Sequence, residues 1–249
     1  MTDQKWYTEF FGEDYLHIYE SILPPKRTQR EADKIVERLE LRPGSAVLDL
    51  CCGHGRHAVA LAERGHRVTG LDLSTFFLEK AKAGAAEADV DLRLVHSDMR
   101  HIPFEEKFDA VINMFSAFGY LESEAEDQKV LTQVRKALKP GGLFLLETVH
   151  HAWLMRNFEP RGWNIIEDDT IVLDAREMNL HTGRNEVTVT LIHPDGTRRE
   201  YRHAMRIYTA AELVRMVTEA DLDIDAVYGG LDGAELTLDA HRVILIGRK

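Results

Sequence analysis

Short apolar runs alternate with amphipathic stretches of helical spacing over residues 44–149. Runs near 46–50, 67–71, 91–95, 108–113 and 143–149 predict strands, and stretches near 56–64, 75–88 and 124–138 predict helices. Such a series builds a parallel sheet with right-handed crossovers. The period then changes. Over 164–207 the chain is extended and alternating, with turn signals at 181–185 and at Pro194-Asp195-Gly196, the second a good hairpin signal. This predicts an antiparallel meander inserted after the fifth strand. A helix follows over 208–220, where Thr209 and Glu212 have the spacing of a capping box, and strands near 223–229 and 241–248 finish the sheet.

Ahead of the first strand, residues 6–17 are rich in aromatics and 18–23 continue the segment. Pro24-Pro25 interrupts it before a second stretch, 28–41, with Ala32, Ile35, Val36 and Leu39 at helical spacing. No strand of the sheet requires this leading segment. It forms either a lid or a packing helix, with Trp6, Tyr7, Phe10, Phe11 and Tyr15 as its aromatic contribution.

The chemistry concentrates where Ala46-Val47-Leu48-Asp49-Leu50 runs into Cys51-Cys52-Gly53-His54-Gly55, and Arg56-His57 opens a helical stretch. This is strand, glycine turn, helix start, and glycines there let a ligand approach the backbone. Asp72 ends the next apolar run about 20 residues on, where a carboxylate accepts from a ribose diol. Two cofactor classes share the arrangement. A dinucleotide fold uses GxGxxG to seat a pyrophosphate on a helix N-terminus. Here Ala58 stands at the third position and Asp49 precedes the first glycine, an acid that repels pyrophosphate and suits an ammonium group. S-adenosylmethionine carries an ammonium, a sulfonium and a ribose diol, and no phosphate.

Two more runs end in polar or aromatic residues, Leu94-Val95-His96-Ser97-Asp98-Met99 and Phe108-Asp109-Ala110-Val111-Ile112-Asn113-Met114-Phe115. Then comes Leu138-Lys139-Pro140-Gly141-Gly142-Leu143, in which Pro-Gly-Gly stops a helix. In this order the motifs resemble the class I S-adenosylmethionine-dependent methyltransferases over 44–150, and more faintly to the C-terminus. The run Met114-Phe115-Ser116-Ala117-Phe118-Gly119-Tyr120 resembles their small-molecule branch, and an Asn-Pro-Pro-Tyr type sequence, which grips a planar amine, is missing there.

The resemblance implies an α/β fold: a Rossmann-like seven-stranded methyltransferase sheet with helices on both faces, plus the antiparallel insertion after the fifth strand. It divides the chain into an N-terminal helical lid (1–43), a cofactor-binding methyltransferase domain (44–150 and 207–249) and a β insertion (151–206) that covers substrate or makes a dimer contact. Asp49, Gly53 and Gly55 are then assigned to the methionine part of the cofactor, with Cys51 and Met114 in the same pocket. Arg56 serves the cofactor carboxylate or bonds a nearby acid such as Glu13 or Asp14. Asp72 takes the ribose, Leu73 packs beside adenine, Asp98 accepts from the adenine amino group and Met99 offers the ring an apolar surface. Tyr15 lines the acceptor pocket. His150 or His151, directly after the fifth strand, is the candidate general base; successive strand residues point to opposite sides, so at most one faces the cleft.

At 249 residues and 44% hydrophobic, the chain suits one large α/β domain with an excursion. A net charge of -11 argues against a nucleic acid, whose phosphates demand lysine and arginine, and the resemblance implies a small-molecule methyl acceptor. The two cysteines are adjacent and build no disulfide framework, which fits a reducing cytoplasm. No apolar run is long enough to span a bilayer, no secretory pattern opens the chain, and no ligand spacing calls for a metal. A monomer or a homodimer is expected.

Methyl transfer is a direct displacement at a sulfonium carbon, so charge disappears as the transition state forms. Alignment and water exclusion then do most of the work, and the acceptor side is free to vary between N, O and C nucleophiles. The competing readings are a non-catalytic S-adenosylmethionine-binding or assembly protein, and an enzyme using a modified S-adenosylmethionine.

Overall fold

The structure, a computed structural model, describes residues 10–20 and 22–249. Trp6 and Tyr7 of the leading segment lie outside the described residues. From Glu13 the described chain runs through α1 (Glu13–Glu20) and α2 (Pro25–Arg38). It continues through β1 (Ala46–Leu50), α3 (Arg56–Glu63), β2 (Arg67–Asp72), α4 (Thr75–Glu87), β3 (Arg93–His96), β4 (Phe108–Asn113), α5 (Glu124–Ala137) and β5 (Leu138–Val149). A short helix α6 (His151–Arg156) leads into β6 (Arg161–Ile165), β7 (Ile171–Asn179), β8 (Arg184–Ile192) and β9 (Arg198–Arg206). Helix α7 (Ala210–Glu219) and strands β10 (Asp223–Tyr228) and β11 (Arg242–Arg248) finish the chain.

Seven strands form one sheet in the order β10-β11-β5-β4-β1-β2-β3. Strands β1 to β5 pair in parallel, and β11 runs antiparallel to both β5 and β10. Alternation along β1 shows how the two faces are filled. Leu48 and Leu50 pack with Val130, Leu131 and Val134 of α5 and Leu213 of α7, while Val47 joins Ala32 and Ile35 of α2 and Ala58 and Leu61 of α3. Asp49 therefore shares the α2 and α3 side, and the next residues turn beneath α3.

Strands β6 to β9 make the separate antiparallel sheet that the alternating segment predicts. Val172, Val187, Val189 and Leu191 bury one of its faces against Phe10, with Tyr15 and Tyr19 of α1 packed on the cluster. The aromatic helix thus bridges the two sheets. The capping box at the start of α7 is present, with Thr209 Oγ1 accepting from the Glu212 amide and Glu212 accepting from the Thr209 amide.

Two of the boundaries that differ from the sequence expectation have a direct physical cause. Helix α2 starts at Pro25, because proline has its φ preset for a first helical turn and no N–H to leave unsatisfied there. Strand β5 starts at Leu138 rather than 143, since Leu138 is wholly buried and pairs with Phe108. The Gly141-Gly142 turn stays inside the sheet because Gly141 donates to the Lys249 carbonyl and Lys249 donates to Gly142. Among the described residues no helix is long and apolar enough to cross a membrane.

Candidate cofactor and acceptor site

The carboxyl ends of β1, β2, β3 and β4, with α1 laid across them, enclose a cavity of about 480 Å³. Open α/β sheets bind ligands at this edge. Asp49, Cys51, Gly53 and Arg56 line the cavity from the first turn, Asp72 and Leu73 from the second, Asp98 and Met99 from the third, and Met114 from the fourth. Tyr15 enters from α1.

The glycine turn is shaped by three left-handed residues, Cys51 at φ +61°, Gly53 and Gly55. Gly53 has φ +54°, its amide donates to Asp72 Oδ2 at 2.8 Å, and a Cβ there would meet nothing within 4 Å. That open space is the cavity. Gly55 has a different task from the cofactor contact expected of it. It is absent from the cavity wall, its amide donates to the Cys52 carbonyl at 3.0 Å, and a Cβ would sit 2.7 Å from Ala81 Cβ. Gly55 is there so that α4 can close on the turn.

Asp49 is 2% exposed, and its Oδ2 has no hydrogen-bond partner among the described residues. Burial pushes its pKa up to about 6 against the opposing charges of His57 and Arg56. Arg56 donates from Nη1 to Glu31 Oε2 and, at 3.2 Å, to Thr28 Oγ1, while its buried Nη2 has no partner among the described residues. The acid beside Arg56 is therefore Glu31 of α2, not Glu13 or Asp14. Asp14 instead accepts from Arg199 and Tyr201 of β9, and Glu13 is exposed.

Asp72 accepts one backbone N–H on each oxygen, Gly53 on Oδ2 and Ser74 on Oδ1, both at 2.8 Å. Its pKa is raised by burial, with those amides working in the opposite direction. A second lone pair remains on each oxygen. Asp98 is gripped by Arg100, from Nη2 to Oδ2 at 2.6 Å and from Nε to Oδ1 at 3.0 Å. Burial works to raise its pKa, and the Arg100 contacts overcome this and lower it.

The other side of the cavity is aromatic. Phe11 stands edge-on to Tyr15 at 5.0 Å and to Tyr120 at 5.4 Å, and burial pushes the Tyr15 hydroxyl well above its ordinary pKa. Phe115 and Ser116 both adopt φ +58°, a strained pair for residues with side chains. Glu147, 4% exposed on β5, holds them: Oε2 accepts the Phe115 amide at 3.1 Å and its carbonyl accepts the Ser116 amide at 3.2 Å. Arg242 completes the support, donating to Ser116 Oγ at 2.9 Å and pairing with Glu147. Sequence reasoning missed Glu31, Arg100, Glu147 and Arg242. Only Arg100 carries a local signal, two residues from Asp98.

His150 and His151 do not line the cavity, which corrects the expectation that one of them faces the cleft as a base. The His150 ring is 7% exposed with Nδ1 2.8 Å from the Ala240 carbonyl, and its amide donates to His241. It fastens the loop before β11, and His151 begins α6. His54 does line the cavity; burial, then the Arg56 and His57 charges, push its pKa down to about 4.

A sequence model described as a methyltransferase domain matches residues 47–142. The dTDP-3-amino-3,6-dideoxy-alpha-D-glucopyranose N,N-dimethyltransferase of Streptomyces fradiae is 30% identical over 200 residues, covering 77% of this chain and 75% of that protein. The glycine/sarcosine N-methyltransferase of Aphanothece halophytica is 35% identical over 123 residues, 49% of this chain; the chain spans about half the length of that relative, 46%. The CcbJ methyltransferase from Streptomyces caelestis superposes with a TM-score of 0.79 over 90% of each chain at 23% identity, a likeness of fold. Taken with a cavity at the strand ends that presents a buried acid and a buried guanidinium, these similarities identify the chain: it belongs to the class I S-adenosylmethionine-dependent methyltransferases.

Proposed function

We propose that the enzyme methylates the nitrogen of a small-molecule amine in the cavity between the sheet ends and α1. The observation that carries the cofactor half is the pair of buried, unpartnered atoms in one wall, Asp49 Oδ2 and Arg56 Nη2. Opposite charges left unsatisfied in a dry wall are costly unless a ligand completes them, and the ammonium and carboxylate of an amino acid do so. Asp49 faces the ammonium and Arg56 the carboxylate. Asp72 keeps one free lone pair per oxygen for the two ribose hydroxyls, Asp98 accepts from the adenine amino group, and Leu73, Met99, Met114 and Cys51 supply apolar wall.

S-adenosylmethionine supplies a methyl group on a sulfonium, which an incoming nucleophile takes by direct displacement. The acceptor side bears on the choice of nucleophile. Apart from Asp49, Asp72 and Asp98, no carboxylate lines the cavity among the described residues. Three histidines also line it: His54, with its pKa near 4, is a poor base at neutral pH, His57 Nε2 lies against Glu31 at 2.9 Å, and His96 Nε2 lies 2.8 Å from the Leu73 carbonyl. An alcohol needs its proton removed in order to attack, whereas a neutral amine attacks with its lone pair and sheds a proton afterwards. Phe11, Tyr15, Phe115 and Tyr120 would align it and exclude water, with Tyr15 touching the acceptor. The curated relatives named above act on amine nitrogens by name, glycine or sarcosine in one and an amino sugar in the other.

In this reading 1–43 is the lid, 44–150 with 207–249 the cofactor domain, and 151–206 the acceptor cover. The reaction belongs in the reducing cytoplasm, where Cys51 and Cys52 stay as the free thiols they are, and at a net charge of -11 no nucleic acid is involved. Calorimetric titration with S-adenosylmethionine, S-adenosylhomocysteine and NAD tests the cofactor half. Micromolar binding of the first two and none of NAD is expected; NAD binding alone overturns it. A panel of primary and secondary amines beside matched alcohols, followed by release of S-adenosylhomocysteine, tests the acceptor half. Turnover confined to alcohols overturns that half.

A further inference from the structure

The grip of Arg100 on Asp98 goes beyond what an ordinary loop ion pair needs. Asp98 Oδ1 accepts twice from the same residue, the Arg100 amide at 2.8 Å and Nε at 3.0 Å, and Oδ2 accepts from Nη2 at 2.6 Å. A carboxylate offers about four acceptor directions. Three are filled, both on Oδ1 and one on Oδ2, and the single open lone pair is on Oδ2. Arg100 is itself anchored from behind, with Nη1 donating to Glu126 Oε2 of α5 at 3.0 Å and lying 3.4 Å from Glu122 Oε2. Both partners are sheltered, with side chains 19% and 21% exposed, so the fork is partly protected from solvent screening. Asp98 lines the cavity and Arg100 does not.

We infer that Arg100 is a positioning residue that stops the Asp98 carboxylate from rotating, so that its one open lone pair reads an amino group and rejects an oxo group on the purine of the cofactor. This rests on the reading of Asp98 as the adenine acceptor. The chemistry is a matter of donors and acceptors. Adenine carries a 6-amino donor beside an unprotonated N1, whereas hypoxanthine carries a 6-oxo acceptor beside an N1–H donor. A fixed carboxylate aimed at the 6-position meets a donor in the first and an acceptor in the second, leaving buried polar groups unmatched. A carboxylate free to swing can instead accept from N1–H, and the two bases then bind alike. The bidentate fork is the part of arginine that a lysine lacks.

The test compares dissociation constants of S-adenosylhomocysteine and S-inosylhomocysteine, by calorimetry on the full chain, for the parent, Arg100→Met, Arg100→Lys, Glu126→Gln and Asp98→Asn. A ratio of the two constants is insensitive to a general loosening of the site, which weakens both ligands together. The parent is expected to prefer the adenosyl ligand by about 100-fold, the size of one mismatched buried hydrogen bond. Arg100→Met should cut the preference at least tenfold, with Arg100→Lys intermediate; Glu126→Gln, which removes only the rear anchor and leaves the fork in place, should act in the same direction if Arg100→Met does not fold. A preference unchanged in Arg100→Met, or in Arg100→Lys and Glu126→Gln together, while Asp98→Asn abolishes it, overturns the role of Arg100 and leaves the adenine acceptor standing. A preference unchanged in Asp98→Asn overturns the adenine acceptor, and the inference with it.

Discussion

Glu31 Oε2 lies 2.9 Å from His57 Nε2 and also accepts from Arg56, so one carboxylate on α2 meets both residues that open α3. A cation at a helix N-terminus is opposed by the helix dipole. Glu31 offsets that opposition while leaving Arg56 Nη2 free toward the cavity. It also ties α2 to the cofactor turn, and Arg27, one helical turn earlier on α2, donates to its other oxygen at 2.8 Å.

Glu31→Gln should therefore cost stability in a way that depends on pH. Burial works to raise the Glu31 pKa, but the His57 hydrogen bond, the charges of Arg56 and His57 and the Arg27 hydrogen bond overcome it and hold the carboxyl well below its ordinary range. An acid whose pKa is lower folded than unfolded stabilises fully above its unfolded pKa, and this contribution is lost as pH falls toward the folded value. Removing one partner of a largely buried pair leaves the guanidinium unmatched, at a cost of about 2–3 kcal/mol at neutral pH. Urea denaturation at pH 7 and pH 3 checks this. The deficit of the variant should shrink in acid, and a deficit of equal size at both values would count against the pair.

Asp49 predicts a pH dependence of the opposite kind, read in cofactor affinity. With its pKa pushed up to about 6 in the free protein, the carboxyl holds a proton below that value, while an unfolded aspartate releases its proton near 3.9. The group thus costs stability as pH rises from about 4 to about 6. An ammonium placed against it favours the carboxylate, so binding expels the proton whenever pH is below about 6. Affinity for S-adenosylmethionine should be flat above pH 6 and fall by up to about tenfold per unit below it. Asp49→Asn should remove that dependence and weaken binding about 10- to 100-fold at pH 7.5, the worth of a hydrogen bond to a charged group. Calorimetry from pH 5 to 8 decides the matter. A parent curve with no break near 6 would sever Asp49 from the ammonium.

What the sequence disclosed and what it withheld divide along the range of the interaction. Strands β1 and β4 have the bounds their apolar runs predict, because the signal is the run itself. The glycine turn, Asp72 and Asp98 are legible for the same reason: each sits where a strand stops, and the parallel sheet gathers all its strand ends on one edge. The capping box of α7 spans only three residues. The partners of these residues are another matter. Arg56 meets Glu31 from 25 residues away, Asp14 meets Arg199 across 185, and His150 is drawn off to a carbonyl 90 residues on. No periodicity encodes such pairs. The histidine expectation failed because strand alternation says which side a residue faces and nothing of the loop waiting there. Tyr15 was assigned by resemblance alone, and its entry into the cavity depends on α1 packing against β8 and β9, a contact between segments far apart in the chain.

Asp14 is one of the points at which α1 is fastened, and it should set how fast product leaves. Both of its oxygens lie 3.0 Å from Arg199 Nη1, and Oδ2 accepts the Tyr201 hydroxyl at 2.5 Å. Near the start of the same helix the Phe11 carbonyl accepts from Ser74 Oγ at 3.1 Å, and the Ser74 amide donates to Asp72. The proposed lid is therefore tied to the insertion, by Asp14 and by His17 beside Asp168 at 3.0 Å, and to the turn assigned to the ribose. Phe11, Gly12 and Tyr15 form part of the cavity wall, so movement of α1 would open it to a departing product. Asp14→Asn discards the charge that holds Arg199 and turns an amide donor toward a donor. Arg199 is about half exposed, so the loss is discounted to about 1 kcal/mol, a rise of roughly fivefold in the rate of opening. Stopped-flow fluorescence of S-adenosylhomocysteine release, with Tyr201→Phe as the milder change, should show faster release in both variants, larger for Asp14→Asn, with equilibrium stability lowered by a similar amount. Release rates equal to the parent's, in variants whose stability has fallen as expected, would mean that α1 is fastened there for packing and that the exit lies elsewhere along the cavity wall.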